Sequence, residues 1–550
     1  MKKLALWALS LFFMFCPGNL LAASYPETGF LVLAPDRGFL GNSELEVLFT
    51  EFEKEYPAAL VYVGQGHGGP DRDYAPYIDA ALARLQNNGA ERVVAIPLFL
   101  SGVDPALVLA RQWVAEKAGG RLSVRWAEPM AASHLTAQVF LDRARQLSGD
   151  PENERLILLG MGPVDETSEQ AMRAELQPVL QYATDRLPFR EAELVLYYGN
   201  GANAELRERK EREADRKIFE MTAKKGHTLL IPFVMAAKYS HQMSVSYWLT
   251  RKFGEYDLTV VPEEIVPHPN VLHWLRKTAN RFTAPAPSQV GVVVMPHGAQ
   301  KPYNDAIEKV IEPLKSRYRV EIAYGMADAL ILQDAVAKLE REGIRKIVVV
   351  RMYSLENQFK DKIDYLLGFS TQPPRQRPGA TPPPQVRSGA VFASFGGYEE
   401  DALICEILRE RVMSISRDPR RERVLLVAHG ARDDKKDAEW KAIMQKHADY
   451  IQQHAQVPFR EVRGLTVRED WPDKKEGALK NIRTLIEEGS ASGRTLIISN
   501  RLYGSGRYDE FFNGLVYEMN REGLAPHPNL TRWLEQGIEA TLGKGFGEDP

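Results

Sequence analysis

Four stretches of this 550-residue chain repeat one order of elements, and that order restricts the folds open to it. Each stretch begins with an apolar run that ends in a polar turn: FLVLAP from Phe30, RLILLG from Arg155, VGVVVMP from Val290 and RVLLVAHG from Arg423. An amphipathic segment follows, such as SELEVLFTEFEKEYP or KPYNDAIEKVIEPLKSRY. A second apolar run comes next: ALVYVG from Ala59, ELVLYYG from Glu193, VEIAYG from Val320 and FREVRGL from Phe459. After a second helical stretch stand ERVVAIPLFL from Glu91, HTLLIPFVM from His227, RKIVVVRMY from Arg345 and RTLIISNRLY from Arg494. A further helix and a weaker strand close each unit. Short apolar runs alternating with amphipathic helices are the pattern of a parallel sheet covered on both faces. The chain is therefore expected to be an α/β protein of four flavodoxin-like parallel-sheet modules, at residues 28–148, 154–282, 289–417 and 422–546.

The modules pair into halves. EEIVPHPNVLHWL from Glu263 and REGLAPHPNLTRWL from Arg521 align without a gap, 259 residues apart, over a shared PHPN core and a shared Trp-Leu. TAPAPS, from Thr283 to Ser288, falls where a boundary between the halves belongs. The Pro-rich stretch at 373–385 lies inside the third module, ahead of its last strand, and reads as an inserted surface loop.

The first 23 residues carry Lys2 and Lys3, an apolar run from Leu4 to Phe15, and small residues at Ala22 and Ala23, the order of a secretory signal. An exported, periplasmic or similar location is expected, with no integral membrane span after cleavage; an uncleaved anchor is the alternative. Cleavage would leave Cys405 as the only cysteine, so neither an intramolecular disulfide nor a cysteine zinc site is open. A metal would be held by imidazole, carboxylate or the nitrogens of a second ligand. With 70 Lys plus Arg against 73 Asp plus Glu, no bulk field favours nucleic acid or an anionic membrane, and the expected partner is small.

VVVMPHGAQ and VLLVAHGARDD place His297 and His429 directly after the first strand of the third and fourth modules. Ligands of open parallel sheets bind beyond the carboxyl ends of the strands, so both histidines project toward a cleft. Neutral imidazole binds Co²⁺, Fe²⁺, Ni²⁺ or Zn²⁺ and takes a proton near neutral pH. A lone HG dipeptide is commonly a turn with a solvated histidine; its recurrence at one position of a repeat favours a functional role. The third HG, at His67 in YVGQGHGGPDRDY, sits in a glycine-rich loop with Asp71 and Asp73 behind it, and reads as a flexible turn or a backbone anion site.

A two-lobed unit of such modules, with strand-HG-turn first and strand-P-[LF]-F-[LV] later, resembles the class II chelatases, the sirohydrochlorin cobalt- and iron-chelatases of the CbiX and CbiK type. The resemblance spans nearly all of the chain beyond the signal, as two bilobal chelatase-like halves. It implies a lyase that inserts Co²⁺ or Fe²⁺ into a tetrapyrrole, as in cobalamin or sirohaem formation. In that family one histidine after the first strand and another after the third bind the metal, assisted by an acidic residue near the second. His297 and His429 match the first histidine, where module two has Met161 and module one has Asp36-Arg37. Only His241, in IPFVMAAKYSHQM, matches the second; the other modules offer Gly102 to Asp104, Glu356-Asn357 and Tyr508. Glu469, in LTVREDW, matches the acidic residue, and Asp328 matches it less closely.

The resemblance thus implies catalytic roles for His297, His429 and Glu469, and metal ligation by His297, His429 and His241. Arg432, Arg501 and Arg507 lie on loops of module four where they would meet tetrapyrrole carboxylates. Because no module keeps both histidines, an exported non-catalytic carrier of a tetrapyrrole or metal stands beside the enzyme, as does a purely structural role. His268 and His527, in the PHPN repeats, read as structural helix starts. His134, His227, His273, His447 and His454 have no repeat partner and are assigned to the surface. The oligomeric state is open.

Overall fold

The computed structural model describes residues 27–64, 73–237, 240–377, 379–398 and 400–546. The expected signal, and His67 and Asp71 with their loop, lie outside the described residues. Among the described residues no helix is long and apolar enough to cross a membrane.

Module one alternates β1 (Thr28–Pro35), β2 (Ala58–Val63), β3 (Arg92–Pro97) and β4 (Ser123–Trp126) with α1 (Gly38–Glu53), α2 (Ala75–Asn87), α3 (Pro105–Ala118) and α4 (His134–Leu147). Module two has β5 (Arg155–Met161), β6 (Glu191–Tyr197), β7 (Thr228–Pro232) and β8 (Leu258–Val260), with α5 (Glu166–Thr184), α6 (Ala204–Thr222), α7 (Val245–Phe253) and α8 (Pro269–Arg281). In module three come β9 (Val290–Met295), β10 (Arg319–Ile322), β11 (Lys346–Arg351) and β12 (Val391–Gly396), with α9 (Lys301–Ile311), α10 (Ala329–Arg341), α11 (Lys360–Leu366) and α12 (Ala402–Met413). Module four has β13 (Glu422–Ala428), β14 (Glu461–Thr466), β15 (Arg494–Ser499) and β16 (Glu518–Asn520), with α13 (Asp434–Gln453), α14 (Pro472–Ala491), α15 (Tyr508–Phe511) and α16 (Pro528–Gly543).

All four sheets have the same order, β2-β1-β3-β4 in module one and its equivalents elsewhere, and every pairing is parallel. The first strand of each module is therefore central and covered on both faces. That is why Val424 to Ala428 form a continuous apolar run with no alternation, each fully buried. Leu425 pairs with Arg463 on one side and Ile497 on the other, so the chain leaves β13 where neighbouring connections diverge to opposite sides. A side chain just past such a strand faces open space between loops.

The last helix of each module packs against its partner module. Trp533 of α16 meets Phe395 and Tyr398 of module three, with ring centroids 5.7 and 5.8 Å away. One apolar core consequently runs through modules one and two, from Phe30 to Leu158 and Trp274, and a second through modules three and four. The PHPN repeats start these exchanged helices. His268 and His527 are N-caps whose side chains accept the backbone N–H of Asn270 and Asn529, both at 3.1 Å. An imidazole Nδ1 thus does what a Ser or Asp oxygen does at most helix starts.

The two halves meet through the end of the Pro-rich segment. Arg387 forks onto Asp142 at 2.5 and 2.9 Å, Gln138 donates to the Gln385 carbonyl at 2.8 Å, and His134 Nε2 donates to the Val386 carbonyl at 3.0 Å. Lys277 lies over the Phe392 ring at 4.7 Å. This corrects one expectation and sharpens another. The described residues of 373–384 are exposed or half-buried, as a surface loop's are, and only the last residue of the segment, Gln385, is buried. His134 and His273 are half-buried with depressed pKa values, and His447 is buried in module four. Burial comes from packing between distant segments, which no local pattern records. His227 and His454 are less enclosed: His227 bonds Asp257 and Thr259, and His454 stacks on Tyr450.

Candidate functional site

The β13–α13 turn begins with His429. Its backbone carbonyl accepts the Arg468 N–H at 2.7 Å, and its ring Nδ1 lies 3.0 Å from the Gly430 carbonyl. Gly430 has φ +84°, and a Cβ there would come within 2.8 Å of both Asp437 and Thr466. Only glycine fits this turn. Buried Asp437 holds the loop from below, taking the Ala431 N–H and the Thr466 hydroxyl, each at 3.1 Å. Opposite, Arg468 has φ +53° and donates through Nε to the Ala431 carbonyl at 2.7 Å and through Nη2 to the Arg432 carbonyl. The β13 and β14 loops are thereby bolted together.

This bolt aims the next two residues of the β14 loop at the imidazole. His429 Nε2 stands 3.0 Å from Asp470 Oδ2 and 3.8 Å from Glu469 Oε1. His429, Glu469 and Asp470 each offer a ligand atom within 4.8 Å of the others, the one such group of three found among the described residues. Trp471 meets the imidazole edge-on at 5.5 Å and Trp440 lies nearly parallel at 6.5 Å, which limits ring rotation. From the loop after β15, Arg501 bonds Glu469 Oε1 at 2.7 Å, while Glu469 Oε2 is enclosed with no hydrogen-bond partner. One imidazole and two carboxylates suit a divalent first-row ion.

The other expected residues divide. His297 repeats the His429 turn: its Nδ1 lies 2.8 Å from the Gly298 carbonyl, and Gly298 has φ +79°. It is exposed and does not join the group of three. Asp328 caps α10, accepting the Leu330 N–H at 2.9 Å. Tyr508, at the position of a second histidine, is fully buried, with its hydroxyl donating to the Val427 carbonyl at 3.1 Å. Arg507 pairs with Glu510 at 2.7 Å and Arg432 is exposed. Asp433 caps α13, Asp434 pairs with Arg468 and Lys474, and Asp73 accepts the Ala75 N–H ahead of α2. His241 opens a short 3-10 turn, His241–Met243, ahead of α7, and its side chain lies outside the described residues.

The matching cleft in the N-terminal half is lined differently. Between modules one and two lies a cavity of about 330 Å³ bordered by Asp36, Arg37, Asp104, Met161, Gly162 and Tyr198 among others. Asp36 is engaged locally, accepting the Gly38 N–H at 3.0 Å and the Asn42 amide at 2.9 Å.

No family model matches the chain, and no curated protein matches it in sequence. Solved structures similar to it include two described as follows. SirB from Bacillus subtilis with Fe³⁺ is 14% identical, with 48% of this chain and 99% of that chain covered and a TM-score of 0.36. DR2241 from Deinococcus radiodurans, described as a multi-domain protein with structural similarity to chelatases and two additional novel domains, is 17% identical. It is covered over 56% of its length by 47% of this chain, at a TM-score of 0.31.

Of the residues expected from the sequence, His429, Glu469 and Arg501 come together; Asp470, Trp440, Trp471 and the bolt at Arg468 are additions from the structure. The run REDW after β14 was the available signal for Asp470, since adjacent acids in a loop facing a histidine can both turn inward. The positive φ of Arg468 that makes this happen has no sequence mark.

Proposed function

We propose that the C-terminal half takes a divalent metal ion, Co²⁺ or Fe²⁺, as substrate at His429, Glu469 and Asp470 and inserts it into a tetrapyrrole. The observation that carries this reading is the convergence of one imidazole and two carboxylates within 4.8 Å at the end of a central strand. Insertion requires a base for two pyrrole protons and ligands that release the ion. His429, in contact with Asp470 at 3.0 Å, is placed to accept one pyrrole proton once the metal has moved to the macrocycle, the second passing to Asp470 or to water. Arg501 would meet a substrate carboxylate or hold Glu469 back. Export, as expected from the first residues, belongs to the same proposal.

A second reading, a non-catalytic carrier of metal or tetrapyrrole, is favoured by one observation: Tyr508, not a second histidine, fills the third-strand position, fully buried with its hydroxyl on the Val427 carbonyl. Purified mature protein given sirohydrochlorin with Co²⁺ or Fe²⁺ separates the two. Turnover of the metal-free spectrum at substoichiometric protein supports insertion, whereas a change that stops at one equivalent supports the carrier. No spectral change in either metal, or equal behaviour of wild type and His429→Ala, overturns both.

A further inference from the structure

The cavity between modules one and two plays no part in the metal chemistry above, yet it is built like a ligand site. It lies at the carboxyl ends of strands from both modules, where doubly wound sheets receive ligands. Met161, Met172, Leu176 and Phe233, all from module two, give it an apolar side. Module one contributes two opposite charges. Arg37 reaches across the cleft, its Nε donating to the Ala236 carbonyl at 2.9 Å, while its Nη2 is enclosed without a hydrogen-bond partner. Asp104 caps α3 through Oδ1, which accepts the Ala106 N–H at 2.9 Å; its Oδ2 faces module two, 3.9 Å from where a Cβ on Gly162 would stand.

Arg37 and Asp104 lie within each other's field, and burial pushes the guanidinium down and the carboxyl up, yet no ion pair joins them directly. Glu264, buried nearby, also faces Arg37 electrostatically, without an ion pair. A half-buried guanidinium with one enclosed, unpartnered nitrogen and a half-buried acid that border one cavity without closing on each other are costly as they stand. A ligand with both charges would satisfy the two together.

We propose that this cleft binds a small apolar α-amino acid as its zwitterion, the carboxylate against Arg37, the ammonium against Asp104 and the side chain against Met161, Met172 and Phe233. A cavity of about 330 Å³ is at the small end of ligand sites, which suits an amino acid and not a macrocycle. The site is independent of His429 and needs no metal.

The test is isothermal titration of the full chain, in the presence of a chelator, with L-leucine, L-methionine and L-phenylalanine, beside isoamylamine and isocaproate, the two halves of leucine's head group. Saturable binding of at least one amino acid is expected, weaker by about tenfold or more when either charge is missing, as the loss of one charge-assisted hydrogen bond entails. Asp104→Asn keeps the helix cap, because Asn caps as well as Asp, and is expected to lose a similar factor while retaining the wild-type melting temperature. Arg37→Lys, which keeps the charge but not the fork, is expected to weaken binding less than Arg37→Gln. The proposal is overturned if no amino acid binds, if either truncated analogue binds as tightly as leucine, or if Asp104→Asn binds as tightly as wild type.

Discussion

Arg501 holds Glu469 by the same oxygen that stands toward His429, with Nη1 to Oε1 at 2.7 Å and Oε1 to His429 Nε2 at 3.8 Å. A metal ion arriving at this oxygen must compete with a guanidinium that is always charged. Removing that charge should therefore strengthen metal binding rather than weaken it. Arg501→Gln is expected to bind Co²⁺ about tenfold more tightly, the equivalent of roughly 1–2 kcal/mol for one partly screened neighbouring charge. Calorimetric titration with Co²⁺ measures this directly, and weaker binding in the variant would make Arg501 a support for the site instead of a competitor.

Gly430 tests the turn that presents His429. Alanine there must hold φ near +84° and press its Cβ to within 2.8 Å of Asp437 and Thr466. Left-handed strain and the displaced Asp437 bond together should lower stability by about 2–4 kcal/mol, seen as a lower melting temperature, and abolish Co²⁺ binding. Gly298→Ala, whose Cβ would meet the Tyr324 Cβ at 3.0 Å and nothing else nearer than 3.4 Å, is expected to cost less and to leave metal binding intact. Equal loss of metal binding in both would place His297 in the site after all.

The contrast between these two glycines shows what the sequence makes readable. Both HG turns were visible because the repeat sets them at one position, and their backbone geometry is indeed shared. Their surroundings were not visible: Asp470 joins His429 only because Arg468 adopts a left-handed conformation, and His297 has no such neighbour. The parallel sheets were readable for a different reason. A strand buried on both faces must be apolar throughout, so Val424 to Ala428 announce a central strand without any partner being known. His134, His273 and His447 fail as surface residues because their burial depends on segments hundreds or tens of residues away, such as Val386 over His134.

The capping histidines offer a second measure of the exchanged helices. His527→Ala removes the acceptor for the Asn529 N–H and the contact to Glu410 at 3.0 Å, and should cost about 0.5–2 kcal/mol by denaturant unfolding. His527→Asp restores an N-cap oxygen but brings a carboxylate toward Glu410, so it should recover only part of that loss. At His268 the substitution also removes a contact to Asp142 at 3.3 Å, and Asp142 is the anchor for Arg387. His268→Ala is therefore expected to loosen the junction between halves, measured as faster proteolysis in the 283–288 linker, whereas His527→Ala is not.

The same junction should respond to pH with a definite sign. Burial, with Lys277 next in effect, pushes His134 down to about 3, and burial, with Arg276 next, pushes His273 down to about 4. The unfolded histidines titrate near 6.5. Below that value the unfolded or undocked state binds more protons, so stability rises with pH through this window and falls as the pH drops from about 6.5 toward 4. Asp142 works at a lower range: although burial opposes it, bonds from His268 and Arg387 hold its carboxyl down to about 2, so its contribution is present above about 3.8 and is lost only below that. Between pH 4 and 6.5 it is thus the two histidines, and not Asp142, that lower the junction's stability as the pH falls. His134→Gln keeps a donor for the Val386 carbonyl and removes the titrating ring. The variant's melting temperature should fall less steeply than that of wild type between pH 7 and 5, while the two proteins stay close at pH 7. Parallel curves for the two would show that His134 does not set the acid sensitivity of the junction.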